Sequence, residues 1–123
     1  MTTGSDADHA PYTGGGLDGA GFGVVVDPET NVWVGNFGFS GTGCATPGKG
    51  NTLSELSSSG DPLSPSAGYI QGAIDGPQGM AVDQDGNLCI VNFHGSSVTE
   101  YRGGSPGRAV NFTNGKILRA TSG

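Results

Sequence analysis

The chain has 123 residues, of which 25 are Gly and 7 are Pro, and its formal net charge is −6. Leu, Ile, Val and Phe supply only 24 of them, at the border where chains run short of material for a core. A Gly inside a helix costs about 1 kcal/mol and a Pro about 3. The longest stretch free of both is the nine residues Asn51–Ser59, so helical folds are excluded. With only 13% charged residues, tight turns joining short strands fit better than a self-repelling disordered chain. Five basic residues against eleven acidic ones exclude nucleic acid as a partner. No apolar run is long enough to span a bilayer.

In chain order, residues 1–8 read as a disordered tail without the basic start or apolar stretch of a signal peptide. The expectation is a soluble chain whose compartment stays open. Residues 9–70 read as a leading strand near Ala10–Thr13 followed by a first blade. Its strands are Gly23–Asp27 and Asn31–Phe37 around the turn Pro28-Glu29-Thr30, then Asn51–Leu56, then a weaker Ser66–Ile70. Residues 39–50 form a Gly- and Pro-rich insertion, expected to be a mobile excursion on one rim. Residues 71–113 read as a second blade: Gly79–Asp83, the hairpin signal Gln84-Asp85-Gly86, Asn87–Phe93, Ser97–Tyr101 and Arg108–Phe112. Residues 114–123 form a tail or a strand over Lys116–Ala120.

The two blades are copies. Gly23–Phe37 lies over Gly79–Phe93 at an offset of 56, and Tyr12–Gly19 lies over Tyr69–Gly76 at 57. Thr52–Leu56 lies over Ser97–Tyr101 at an offset of 45, the insertion accounting for the difference. A period of about 45 residues is that of a four-stranded propeller blade. The fold expected is therefore all-β: two four-stranded antiparallel propeller blades.

Gly76-Pro77-Gln78-Gly79-Met80-Ala81-Val82-Asp83 followed by Asp85-Gly86-Asn87-Leu88 resembles the NHL-type β-propeller repeat. The flavour is similar to bacterial propellers related to virginiamycin B lyase. The sequence departs from the repeat at Ala20-Gly21-Phe22, at Cys89 where an aromatic is usual, and at the insertion. The resemblance implies blades that serve enzymes, ligand-binding modules or interaction platforms, so function must come from a site.

Asn36-Phe37 and Asn92-Phe93 end equivalent strands. An amide that reads hydroxyls beside a ring that stacks on a sugar suits repeated ligand pockets. The competing reading has Asn capping the strand end and Phe packing between blades. His94 lies six residues before Glu100, and a histidine beside a carboxylate can act as a general base. The related lyases use histidine, glutamate and magnesium, although neither residue aligns with their motif. Asp27 and Asp83 are weak metal candidates at the ends of the innermost strands. Asp83-Gln84-Asp85-Gly86-Asn87 shares the start of a calcium loop, but a hairpin turn explains it more simply.

Trp33 reads as inter-blade core, Cys89 as an inert core thiol that could pair with Cys44, and Asn111-Phe112-Thr113 as a sequon. His9 lies in the tail. The leading expectation is a non-enzymatic binding or scaffold module, without cofactor, for a glycan, small ligand or protein. The alternative is a lyase or lactonase-like hydrolase with Mg or Ca at the channel. Two blades leave two open faces. The expected partner is therefore the chain itself, as a homo-trimer or tetramer whose leading strand completes the next subunit's last blade. A domain-swapped dimer, or Lys116–Ala120 pairing back on its own chain, would compete with that ring.

Overall fold

The computed structural model describes residues 11–38, 51–113 and 116–119. The 1–8 tail, His9, Cys44 and the 39–50 insertion lie outside the described residues. Two antiparallel sheets make up the fold. The first is β1 (Ala20–Val26), β2 (Val32–Asn36) and β3 (Thr52–Leu56). The second is β4 (Pro77–Val82), β5 (Leu88–Asn92), β6 (Ser97–Tyr101), β7 (Ala109–Thr113) and β8 (Lys116–Arg119), in that spatial order. Two short 3-10 turns link β6 to β7.

The hairpins β1–β2 and β4–β5 close by the same device. Asp27 Oδ1 accepts from the Glu29 and Asn31 amides, and Asp83 Oδ1 accepts from the Asp85 and Asn87 amides. Each aspartate thus folds its own turn, as Asx turns do. The one-residue change of repeat offset is also structural. Both innermost strands shift register near their start, between Ala20 and Val24 and between Pro77 and Met80, and the first shift holds one residue more.

Two expectations change, and of the two open alternatives for the C-terminal segment one is found. Ser66–Ile70 shrinks to a single bridge, Leu53 to Tyr69, because Gly68 N turns back to Pro65 O and leaves only Tyr69 extended. Pro11–Thr13 belongs to no strand, and the Tyr12 ring lies instead against Gly60. The C-terminal segment is a strand, paired antiparallel with β7 over Val110–Thr113. The place beside β6 that a neighbour's leading strand would take is filled by β7, with β8 outside it. In the second sheet the place read for a neighbour's leading strand is thus taken by the chain's own β7, whereas the first sheet ends at β3 with the single Tyr69 bridge beside it.

The sheets pack face to face. Trp33 and Leu53 of the first meet Leu88, Ile90, Tyr101 and Ala109 of the second, with Ile74 from the connecting loop. Trp33 sits 5.7 Å from Tyr69 and 6.0 Å edge-on to Tyr101, ring to ring. Trp33 is thus inter-blade core, as its alternation with Val32 and Val34 suggests.

Glycine sets the closeness of the innermost strands. A Cβ on Gly23 would stand 2.3 Å from the Gln78 carbonyl oxygen of β4, a contact that backbone cannot yield cheaply. Gly23→Ala should therefore cost at least about 2 kcal/mol by forcing β1 from β4. Gly107→Ala, whose Cβ would meet nothing nearer than 3.8 Å, should stay within about 0.5 kcal/mol. Urea unfolding of both variants measures the difference.

Candidate functional site: an aromatic rim

Asn36 and Asn92 end β2 and β5 at the same edge of the molecule, and both are fully buried. Asn36 Oδ1 accepts from the Asp18 amide, and Nδ2 donates to Thr52 Oγ1 and Ser54 Oγ. Asn92 repeats this with the Asp75 amide, Ser97 Oγ and Thr99 Oγ1. Each amide is satisfied inside the protein and joins three segments of its own blade. Neither faces a ligand, so the binding role read for Asn36 and Asn92 gives way to a structural clamp. The signal was present in sequence. Ser or Thr recurs two residues apart on both third strands, and an Asp-Gly pair precedes each first strand.

The rings that follow the clamps do face outward. Phe37 stands 5.2 Å from Phe22 in an edge-to-face contact, 5.0 Å from His94 and 6.1 Å from Phe93. Phe93 and His94 are 5.3 Å apart. The four rings form one patch across both sheets, with Phe37 half-buried at its centre and Phe22 and Phe93 each more than half exposed. Loop 75–76 seats the second pair. The Phe93 amide donates to Gly76 O, and the His94 ring packs where a Cβ on Gly76 would stand 2.5 Å away. The Gly76 amide donates in turn to Asn51 Oδ1 of the first blade, at 2.7 Å. Asp18 and Asp75, both half-buried, lie in the loops that the asparagines clamp. Phe22 escaped the sequence reading because it lies in the β1 irregularity, where the repeat loses register.

His94 and Glu100 do not meet as a catalytic pair. The chain reverses between them, and Glu100 lies three residues up β6 from Ser97, roughly 10 Å of strand. Its carboxylate pairs with Arg102 Nε at 2.9 Å.

The opposite rim holds a cleft of about 400 Å³ whose charged lining is all acidic: Asp27, Glu29, Glu55 and Asp85. Asp27, which lines it, and Asp83, which does not, are the aspartates weighed as metal ligands, and both carboxylates are occupied. Asp27 Oδ2 accepts from Trp33 Nε1, and Asp83 Oδ2 accepts from Asn87 Nδ2. These hydrogen bonds hold the Asp83 carboxyl below its ordinary range, led by those from Asn87. Among the described residues no three His, Cys, Asp or Glu side chains converge on one point. The donor set thus does not fit a magnesium or calcium ion at Asp27 and Asp83. Cys89 is partly buried, and desolvation, then the Glu100 and Asp83 charges, push its thiol up. It stays protonated at neutral pH, but it lies outside the buried cluster, so the core position read for Cys89 is not found.

No family model matches the chain, and no curated protein matches it. Among solved structures it is similar to a streptogramin B lyase, at a TM-score of 0.51 and 12% identity over 84% of this chain and 41% of that one. It is equally similar to virginiamycin B lyase from Staphylococcus aureus, at 0.51 and 13% over 86% and 42%. The chain spans about two fifths of the length of these neighbours. At that identity the likeness shows the fold, which is that of β-propeller blades. No helix among the described residues is long and apolar enough to cross a membrane.

Two predictions follow from these hydrogen bonds and charges. Asn92→Ala strands the Asp75 amide and the Ser97 and Thr99 hydroxyls, and should cost about 3 kcal/mol in urea unfolding. Glu55 accepts from the Tyr69 hydroxyl at 3.1 Å. Burial foremost, with the charges of Asp27 and Glu29, raises its pKa, and the Tyr69 hydrogen bond only partly offsets them. Ionised Glu55 therefore favours the unfolded chain. The stability it contributes is full below its unfolded pKa and is lost as pH rises through its folded pKa. Glu55→Gln keeps an acceptor for Tyr69 but has no charge to bury. It should raise the thermal midpoint at pH 7 and bring no gain at pH 3.5.

Proposed function

We propose that the chain is a non-enzymatic binding module built of NHL-type propeller blades, with the Phe22–Phe37–Phe93–His94 rim as its ligand-bearing surface. The observation that carries the reading is that four aromatic rings from two blades meet at one edge, two of them largely exposed although a packed core lies beside them. Exposed aromatic faces attract the apolar C–H faces of sugars, and neighbouring polar groups then fix the hydroxyls. Asp18 and Asp75 supply carboxylates at that edge, and the imidazole of His94 supplies a nitrogen donor or acceptor. A glycan or a comparable ring-bearing small molecule is the ligand class that suits this surface.

The enzyme reading has the names of the two structural neighbours on its side and little in the site. His94 is held by rings, Glu100 is paired with Arg102, and the metal candidates are spent in turns.

Screening the chain against an oligosaccharide array, followed by calorimetry on the best hit, tests the proposal. Phe93→Ala should weaken binding about tenfold, the worth of one stacked ring. It should leave unfolding nearly unchanged, because Phe93 is 57% exposed. Retention of no saccharide, or equal affinity after Phe93→Ala, would contradict it.

A further inference from the structure

The internal contact between the sheets is asymmetric, and the chain carries an unused copy of each half. The first sheet offers Val25, Trp33, Gly35 and Leu53; the second answers with Met80, Val82, Leu88 and Ile90. At the offset of 56, the second sheet's outer face repeats the first half as Ala81, Cys89 and Val91, and β6 adds Val98 opposite Val91. The first sheet's outer face repeats the second half as Val24, Val26, Val32 and Val34. Met80 and Val82 pack on the shared core, whereas their counterparts Val24 and Val26 are 64% and 57% exposed. On the other side, Val91, Val98, Phe112 and Ile117 stand in register across four strands and are all exposed.

Two details show that these faces match each other. Gly23 is buried because β4 backbone lies against it, but its counterpart Gly79 is exposed, and a Cβ there would meet only Val91 Cγ2 at 4.0 Å. Nothing among the described residues requires a glycine at position 79; a second innermost strand laid on it would. The size pairing is also reversed in step. Gly35 lies against Pro77, with a Cβ on Gly35 standing 3.3 Å from the Pro77 carbonyl oxygen. The outer faces instead carry Val91 in the place of Gly35, and Gly21, 56 residues before Pro77, in the place of Pro77. Such exchange of large and small conserves the volume that packing needs.

We infer that a second copy of this chain docks its Val24–Val26 face on the Val91–Val98–Phe112 face of the first, repeating the internal blade contact head to tail. The contact joins unlike faces, so it propagates until the ring closes. Propellers close at about four to eight blades. Three copies give six and four copies give eight, through face packing rather than strand exchange.

Light scattering on a sizing column should find a particle three or four times the 12.2 kDa of one chain. Val24→Asp and Gly79→Val disable opposite faces at exposed positions, and each alone should yield a folded monomer by circular dichroism. Mixed in equal amounts, they retain one intact pair of faces and should give a heterodimer and nothing larger. A monomeric wild-type chain would overturn the inference. So would either variant keeping the full particle, or a mixture that stays monomeric.

Discussion

Everything in this molecule rests on one contact, the seating of the β1–β3 sheet on the β4–β8 sheet. The chain is poor in large apolar residues, so neither sheet can bury a core alone. Trp33, Tyr101, Leu53, Leu88 and Ile90 reach nearly complete burial only because each sheet roofs the other. Glycine makes the roof close enough, since the innermost strands approach to a distance at which a methyl group would collide with a carbonyl. The high Gly content that excludes helices thus serves turns and close packing. Low charge serves the same end, because little of each inner face has to remain wet.

The aromatic rim is a product of that contact. Phe22 and Phe37 come from one sheet and Phe93 and His94 from the other, so the patch exists only when the sheets are joined. Below it, Asn36 and Asn92 each use both side-chain donors and one acceptor site to hold strand ends and loops in place. The polar residues are spent on architecture, and the rings meet at the surface above them. The acidic rim at the far edge follows the same rule, with Asp27 and Asp83 folding their own hairpins.

Much of the fold was legible in the sequence because the repeat doubles every signal. β2, β3, β5 and β6 fall where alternation and turn chemistry place them, and β3 and β6 coincide with the aligned segments Thr52–Leu56 and Ser97–Tyr101. The fourth strand of the first blade was less legible, since pairing at Tyr69 depends on how the Pro65–Gly68 turn uses its backbone. The site divided along a physical line. That Phe37 and Phe93 stand side by side needed the register of two sheets, which the repeat supplies. That Asn36 and Asn92 are consumed internally needed partners up to 18 residues away in sequence. His94 and Glu100 look close along the chain, but a tight turn sends them apart.

Native-state hydrogen exchange, followed amide by amide, probes the shared core most directly. If each sheet depends on the other, the amides of β2 and β3 and those of β5 and β6 should exchange through one common opening with the same free energy. Gly23→Ala should lower that value equally in both sheets. Exchange of the β2 and β3 amides through a lower opening, with β5 and β6 keeping full protection, would contradict the account.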